Sequence, residues 1–370
     1  MFTMINVFED LVSNRHKNAA EWKNKGRKVF GYFCTYVPEE IIYAAGIIPV
    51  RIMGGSEDIT HADVHLPSYI CSFSRSCYDL ALKGRYDYLD GVVFPYTCDT
   101  IVSLYNIWKA DIPTPYVGFI DPLCAKTETA RKYFREEVIR FKESLENYLG
   151  REISEDSLRE SIRTYNENRR LLKKVYELRK GPQPLLSGVE ALDIVRSSML
   201  TSKDEHNSLL GSLLDGISER EDPPEPGVRI LVSGSVIYDP EVLRMIEDSG
   251  ALIVADDLCT GTRYFWDLVD TNSSPLVGIA DRYYERIPCP CNYPPEKRLE
   301  HIMTLVKDYD VEAVIFTLQK FCDPHLFDMP FMEEKLKEAE IPSLRIETEH
   351  VTAPLGPLKT RIEAFLETIR

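Results

Sequence analysis

The sequence predicts an α/β protein: two doubly wound domains built on parallel sheets, with a helical insertion between them. Three observations carry that expectation. Short continuous apolar runs, Val92-Val93-Phe94 in GVVFPYTCDT and Ala313-Val314-Ile315-Phe316 in EAVIFTLQKFCD, have the length and character of strands buried on both faces. Strand and helix patterns alternate in the same order in both halves, as parallel sheets with crossover helices require. Between the halves, charged and apolar residues alternate at helical spacing up to the acidic, proline-rich run SEREDPPEPG. A chain of 370 residues suits two domains better than one. The boundaries read as 1–126 for the first α/β domain, 127–218 for the insertion, 219–227 for the linker and 228–370 for the second α/β domain.

Each element has its own local reason. Residues 1–28, amphipathic and lysine-rich, read as a solvated leading helix. Val29 to Phe33 reads as a strand in which Gly31 marks a close backbone approach. Pro38, Glu39 and Glu40 form a helix start matched to the helix dipole, and Gly46 closes that helix before the strand Ile47–Ile52. Glu39 and Glu40 read first as dipole-matching charges, with a polar or acid–base role in the cleft as the alternative. A polar connection from Asp58 to Cys77 ends as a helix begins, and the partly positive start of a helix favours a thiolate at Cys71. The strand around Val92, a helix IVSLYNIWKA and a strand PTPYVGFID complete the first sheet.

In the insertion, the apolar residues Tyr133, Phe134, Val138, Phe141, Leu145, Tyr148 and Leu149 recur at helical spacing among charged ones. Ser154 caps a second helix that runs to Lys180, the run Gly181-Pro182-Gln183-Pro184 breaks it, and a third helix spans Gly188 to Leu214. The second half opens on VRILVSGSVIYDPEVLRMIEDSGALIVADD, strand, helix and strand again. Its first turn carries Ser233-Gly234-Ser235 where the first half has Cys34, small residues of the kind a close ligand or cluster needs.

Composition sets limits on function. With 44 basic and 59 acidic residues the net charge is -15, which argues against a nucleic-acid partner. No run approaches the roughly 18 apolar residues of a membrane span, and the N-terminal residues do not form a signal peptide, so the expected setting is cytoplasmic. Neither G-x-G-x-x-G after a strand nor G-x-x-x-x-G-K-[ST] occurs, and there is no G-x-S-x-G elbow or H-E-x-x-H pair.

The nine cysteines are left to account for. Cys98-Asp99 and Cys322-Asp323 each follow an apolar strand, one in each half, and Cys71 stands at a helix start. Soft thiolates brought together from separate loops, with no compact C-x-x-C pair, suit an iron–sulfur cluster better than structural zinc. Three such ligands leave one iron open to substrate or water. The spacing equally allows these cysteines to be buried small hydrophobes. Cys289-Pro290-Cys291 is a weaker metal candidate in a proline-rich loop, and Cys124 and Cys259 read as structural.

The segments GYFCTYVPEEIIYAAGIIPVRI, the Cys-Asp after GVVFPYT, SGSVIYDPEVLRMIEDSGALIVADDLCTGTRYF and KFCDPHLFDMPFMEEKLKEAEIPSLRIETE resemble the 2-hydroxyacyl-CoA dehydratase / benzoyl-CoA reductase family, nearly end to end. The length is similar to that of the family's smaller, beta-type subunit. The resemblance implies two Rossmann-like domains holding an oxygen-sensitive [4Fe-4S] cluster on cysteines in the cleft between them. It implies a related, non-identical second subunit, a separate ATP-hydrolysing iron–sulfur activator and an acyl-CoA substrate. The chemistry implied is anaerobic and radical: a ketyl radical that lets a 2-hydroxyacyl-CoA lose water (lyase), or ring reduction of benzoyl-CoA (oxidoreductase). Matched motif to motif, the metal ligands are Cys71, Cys98 and Cys322, with Cys34 a further candidate.

Two alternatives stay open at this point. One is a stand-alone reductase with a double-cubane [8Fe-9S] cluster, for which Cys34, Cys77, Cys289 and Cys291 supply extra ligands. The other is a cluster-free two-domain protein that closes on a small ligand. Because the phosphate-binding loops are missing, the purified chain is expected to show no ATP hydrolysis of its own, measured as phosphate release. Turnover of ATP by the chain alone contradicts this reading.

Overall fold

A computed structural model of the chain describes residues 3–123, 125–349 and 355–369. It contains two four-stranded, all-parallel sheets. The first comprises β1 (Val29–Tyr32), β2 (Ile48–Arg51), β3 (Gly91–Pro95) and β4 (Val117–Ile120), in the spatial order β2-β1-β3-β4. The second comprises β5 (Val228–Gly234), β6 (Ala251–Asp257), β7 (Ala313–Gln319) and β8 (Ser343–Thr348), in the order β6-β5-β7-β8. The two orders are the same, so each half is one copy of a Rossmann-like winding. Among the described residues no helix is long and apolar enough to cross a membrane.

Strand residues alternate between two cores, as the twofold period of a strand requires. In the first sheet Val29, Val92 and Phe94 join one apolar cluster, while Phe30, Tyr32 and Val93 join the cluster on the opposite face. In the second sheet Ile230, Val232 and Ile315 pack to one side, and Leu231, Val314 and Phe316 to the other. Gly46 has φ 74, the left-handed conformation expected where it ends the Glu39–Ala44 helix. Gly234 is small for a different reason than a ligand's approach: a Cβ there would collide with the Thr317 carbonyl of the adjacent β7. Over Gly31 the close neighbour is the Ile52 side chain and not the expected backbone.

The leading segment is two helices, Thr3–Ser13 and Arg15–Asn24. Only the second is largely solvated. Ile5, Phe8 and Val12 form a buried stripe on the first, which packs against the Gly188–Ser198 helix of the insertion. The insertion itself contains the helices Glu128–Leu149, Glu155–Glu177, Gly188–Ser198 and Lys203–Gly216. The expected single helix from Gly188 is therefore two. The chain breaks at Met199–Ser202, which turns Lys203 inward to donate to the Ser198 carbonyl and, at 2.5 Å, to the Tyr264 hydroxyl.

Glu39 and Glu40 serve neither the dipole nor the cleft first of all. Both are buried, and they tie the first sheet to the insertion. Glu40 pairs with Arg169 of the Glu155–Glu177 helix and accepts the Tyr283 hydroxyl at 2.8 Å. Burial raises the Glu40 pKa, but Arg169 and Arg282 outweigh it and hold the carboxyl below its ordinary value. Glu39 accepts the Tyr264 hydroxyl at 3.2 Å and lies 3.6 Å from the Lys203 ammonium. A lone glutamate in this place would be desolvated without return, so the arginine and the acid depend on each other. Replacing Arg169 with Met is expected to lower the unfolding free energy by about 3–5 kcal/mol, read by urea denaturation, since it strands Glu40. A loss below about 1 kcal/mol, the scale of a surface pair, contradicts the assignment.

Candidate functional site

In an open α/β sheet the crevice lies beyond the carboxyl ends of the strands where the winding reverses. Here those strands are β1 and β3 in the first sheet and β5 and β7 in the second. Cys34 follows β1. Cys98 follows β3 and directly precedes the Asp99–Asp111 helix. Cys322 follows β7 and directly precedes the Asp323–Glu338 helix, while Cys71 directly precedes Ser72–Leu82. Cys34, Cys71, Cys98 and Cys322 all line one cavity of about 810 Å³.

Three more cysteines reach the same cavity: Cys259, just past β6, and Cys289 and Cys291, on the loop before the Glu296–Asp308 helix. Cys259 is thus a wall residue of the cavity and not only a core residue. Cys77 is fully buried in the first half's core, and does not line the cavity; burial pushes its thiol well above the usual value. Cys124 lies outside the described residues.

The halves touch at the cavity. Ser72 Oγ donates to Gln319 Oε1 at 2.9 Å, and the thiols of Cys71 and Cys322 hydrogen-bond across the same gap. That bond, with N–H groups of Phe73 and Ser74 at the start of the helix, holds the Cys71 thiol below its ordinary pKa against the effect of burial. Its proton-bearing partner Cys322 is pushed well above. Cys289 forms a second such pair with Cys291; that bond, followed by His325 and Arg263, lowers it well below the usual thiol value although it is buried. Burial raises Cys98 to about 12 and Cys259 to about 11.

Two backbone features mark the strand ends. Cys34 has φ 54 and Phe321 has φ 62, left-handed conformations that non-glycine residues rarely adopt. Each lies two residues beyond a central strand, β1 and β7. Such a conformation stores on the order of 1–3 kcal/mol and persists only where the surroundings impose it.

Cations stand around the cavity. Arg51, the last residue of β2, lines it directly. Arg263 and Arg298 are buried behind it and share Asp257 at 3.2 and 3.3 Å, and Arg298 also pairs with Asp328. His325 bonds to Cys289 and is kept neutral, its pKa lowered by burial to about 4. Among the described residues no three His, Cys, Asp or Glu groups converge tightly enough to hold a single metal ion. The thiols are instead spread round the cavity wall. Aromatic side chains ring its mouth: Tyr96, Tyr293, Phe321 and Phe327 line it, and Tyr293 and Phe327 are 73% and 86% exposed.

Residues 34–369 match the family model of the 2-hydroxyglutaryl-CoA dehydratase D-component. The chain belongs to that family. A benzoyl-CoA reductase subunit of Thauera aromatica is 32% identical over 362 residues, covering 95% of this chain and 94% of that one. The (R)-phenyllactyl-CoA dehydratase beta subunit of Clostridium sporogenes is 28% identical, with 98% of both chains covered. The (R)-2-hydroxyglutaryl-CoA dehydratase beta subunit of Acidaminococcus fermentans is 26% identical, with 99% of both covered. These relatives are components of lyases and of an oxidoreductase, and this D-component family member is likewise an enzyme component.

The structure brings together all four cysteines singled out from the sequence. It adds Cys259, Cys289 and Cys291, which the sequence marks less strongly. The C-x-C spacing of Cys289 and Cys291 is visible in the sequence, but the chain path that carries their loop to the first half's strand ends is not. Arg51 has a signal as well, a charged residue ending the otherwise apolar strand IIPVR.

Proposed function

We propose that this chain is the iron–sulfur subunit of a 2-hydroxyacyl-CoA dehydratase or a benzoyl-CoA reductase type of enzyme, acting on an acyl-CoA with an ATP-hydrolysing iron–sulfur activator as electron source. The observation that carries this reading is the convergence of Cys71, Cys98 and Cys322, from both halves, on one cavity at the strand ends. These three would hold a [4Fe-4S] cluster, with Cys34 as the further ligand. A ring of soft donors spread over a cavity wall fits the separate irons of a cluster, whereas one tetrahedral zinc needs its ligands close together. The cluster supplies the one-electron chemistry on a thioester that no side chain performs.

The chain's own residues supply the surroundings. Arg51 brings a positive charge to the wall, and Arg263 and Arg298, sharing Asp257, are buried behind it. Phe73, Val236 and Phe331 give the cavity apolar walls that exclude water. The Ser72–Gln319 bond and the Cys71–Cys322 contact keep the two sets of strand ends opposed.

One observation favours a second reading. Cys34, Cys289 and Cys291 line the same cavity, so about six thiols are at hand for a double-cubane [8Fe-9S] cluster; Cys77, fully buried elsewhere, drops out of that set. Iron and sulfide analysis of anaerobically purified protein separates the readings. About four irons per chain are expected for one cubane, about eight for two, and none for a cluster-free ligand-binding protein. Cys98→Ala and Cys322→Ala are each expected to remove the brown chromophore while circular dichroism stays native. Full iron content in both variants defeats the ligand assignment.

The aromatic ring at the mouth supports a partner that covers it, proposed here as a related, non-identical second subunit. Exposed aromatic side chains around a functional cavity are what an interface buries. In sedimentation with the co-expressed partner, Phe327→Asp is expected to shift the complex toward free chains. A stable monomer that keeps its cluster and activity overturns the assignment.

A further inference from the structure

Arg51 ends β2 at the cavity wall, 3% exposed, and its Nε and Nη1 have no hydrogen-bond partner among the described residues. Several other buried arginines are matched by an acid, Arg169 with Glu40, Arg179 with Asp256 at 3.3 Å and Arg263 with Asp257 at 3.2 Å, while Arg282 and Arg286 donate to backbone carbonyls. Around Arg51 stand the Tyr32 ring, centred 5.8 Å from its guanidinium carbon, and the thiols of Cys34, Cys259 and Cys77. The Tyr32 hydroxyl is itself buried without a partner among the described residues. A buried cation with no counter-charge destabilises a fold, and guanidinium stays charged under all physiological conditions. The fold therefore holds a positive charge in reserve beside a cavity lined, among the described residues, by seven cysteines.

Building on the iron–sulfur reading above, we infer that Arg51 is the counter-cation of the cavity: it stabilises the thiolate-bound cluster and raises its reduction potential. Both parts follow from charge. A thiolate-ligated cluster is anionic, and each electron added makes it more so. A fixed positive charge in a low-dielectric wall stabilises the reduced form more than the oxidised one, which moves the potential upward. With its Nε and Nη1 buried, Arg51 acts by position and charge and is a positioning residue. A cluster that must accept an electron from a separate activator gains from such a group, because it makes acceptance easier without adding a ligand.

The unmatched charge of Arg51 destabilises the empty protein and stabilises the loaded one. Arg51→Met and Arg51→Lys are compared with wild type, each with and without iron. In the cluster-free form Arg51→Met is expected to melt at a higher temperature than wild type, because the uncompensated charge is gone. In the loaded form its midpoint potential, read by EPR-monitored titration, is expected to move to more negative values, with Arg51→Lys close to wild type. Cluster loss in Arg51→Met alone, with Lys retaining it, supports the inference equally. A cluster-free Arg51→Met that is less stable than wild type or does not fold overturns it, as does a loaded variant with unchanged iron content and potential. Loss of the cluster from both variants also overturns it, since charge alone then does not account for the residue. If wild type binds no iron the function proposed above fails, and the melting comparison still decides whether Arg51 awaits an anion.

Discussion

Two parallel sheets wound in the same order, with their carboxyl edges facing one cavity, impose the rest of this structure. Where the winding reverses between β1 and β3, and again between β5 and β7, successive helices leave to opposite faces and open a gap above the strand ends. The loops that leave those ends must run along the gap. Cys34, Cys98 and Cys322 occupy these loops, and helix starts follow Cys98 and Cys322 directly. The contact of Ser72 with Gln319 and of Cys71 with Cys322 then fixes the distance between the edges, so a donor set assembles from segments far apart in the chain.

Electrostatics decide what such a gap can hold. Thiols at the ends of buried strands are desolvated, and burial, with the neighbouring thiols, raises Cys98 and Cys259 far above neutral pH. Hydrogen bonding reverses the direction for one member of each close pair, Cys71 with Cys322 and Cys289 with Cys291. The guanidinium groups of Arg51 and Arg263 and the helix starts make the region suited to anionic sulfur. The same logic, with charges exchanged, governs the Glu39–Glu40 site, where two buried acids meet Arg169 and Lys203 and bind the first sheet to the insertion. One region is fully matched and serves stability. The other keeps a cation unmatched, and that difference is what separates scaffold from site.

The helical segment between the two sheets packs against the first of them. Its helices cover both faces of the first sheet: Phe134, Val138 and Phe141 cluster with Phe30 and Val93, while Ile194 and Val195 cluster with Val29 and Val92 on the opposite face. The Thr3–Ser13 helix, expected from the segment's lysines to be solvated, is drawn into this packing by the stripe Ile5, Phe8 and Val12. Charge content describes the exposed part of that segment, and apolar spacing decides its position.

By itself the sequence determined the class of fold and the residues at the strand ends, because both are local properties. Continuous apolar runs specify strands buried on two faces, and the break after each run specifies where Cys98 and Cys322 emerge. The family was legible for the same reason, in motifs that sit at those breaks. Only the tertiary structure decided which cysteines share a cavity. Cys77 and Cys71 are six residues apart in the chain, yet helix geometry turns one into the core and leaves the other at the cavity wall. Cys289 and Cys291 lie far from Cys34 in the chain and meet it only because two copies of the same winding face each other. That Arg51 finds no acid beside it among the described residues was beyond any reading of spacing, since the lack of a partner is a property of everything packed around a residue and not of its neighbours in sequence.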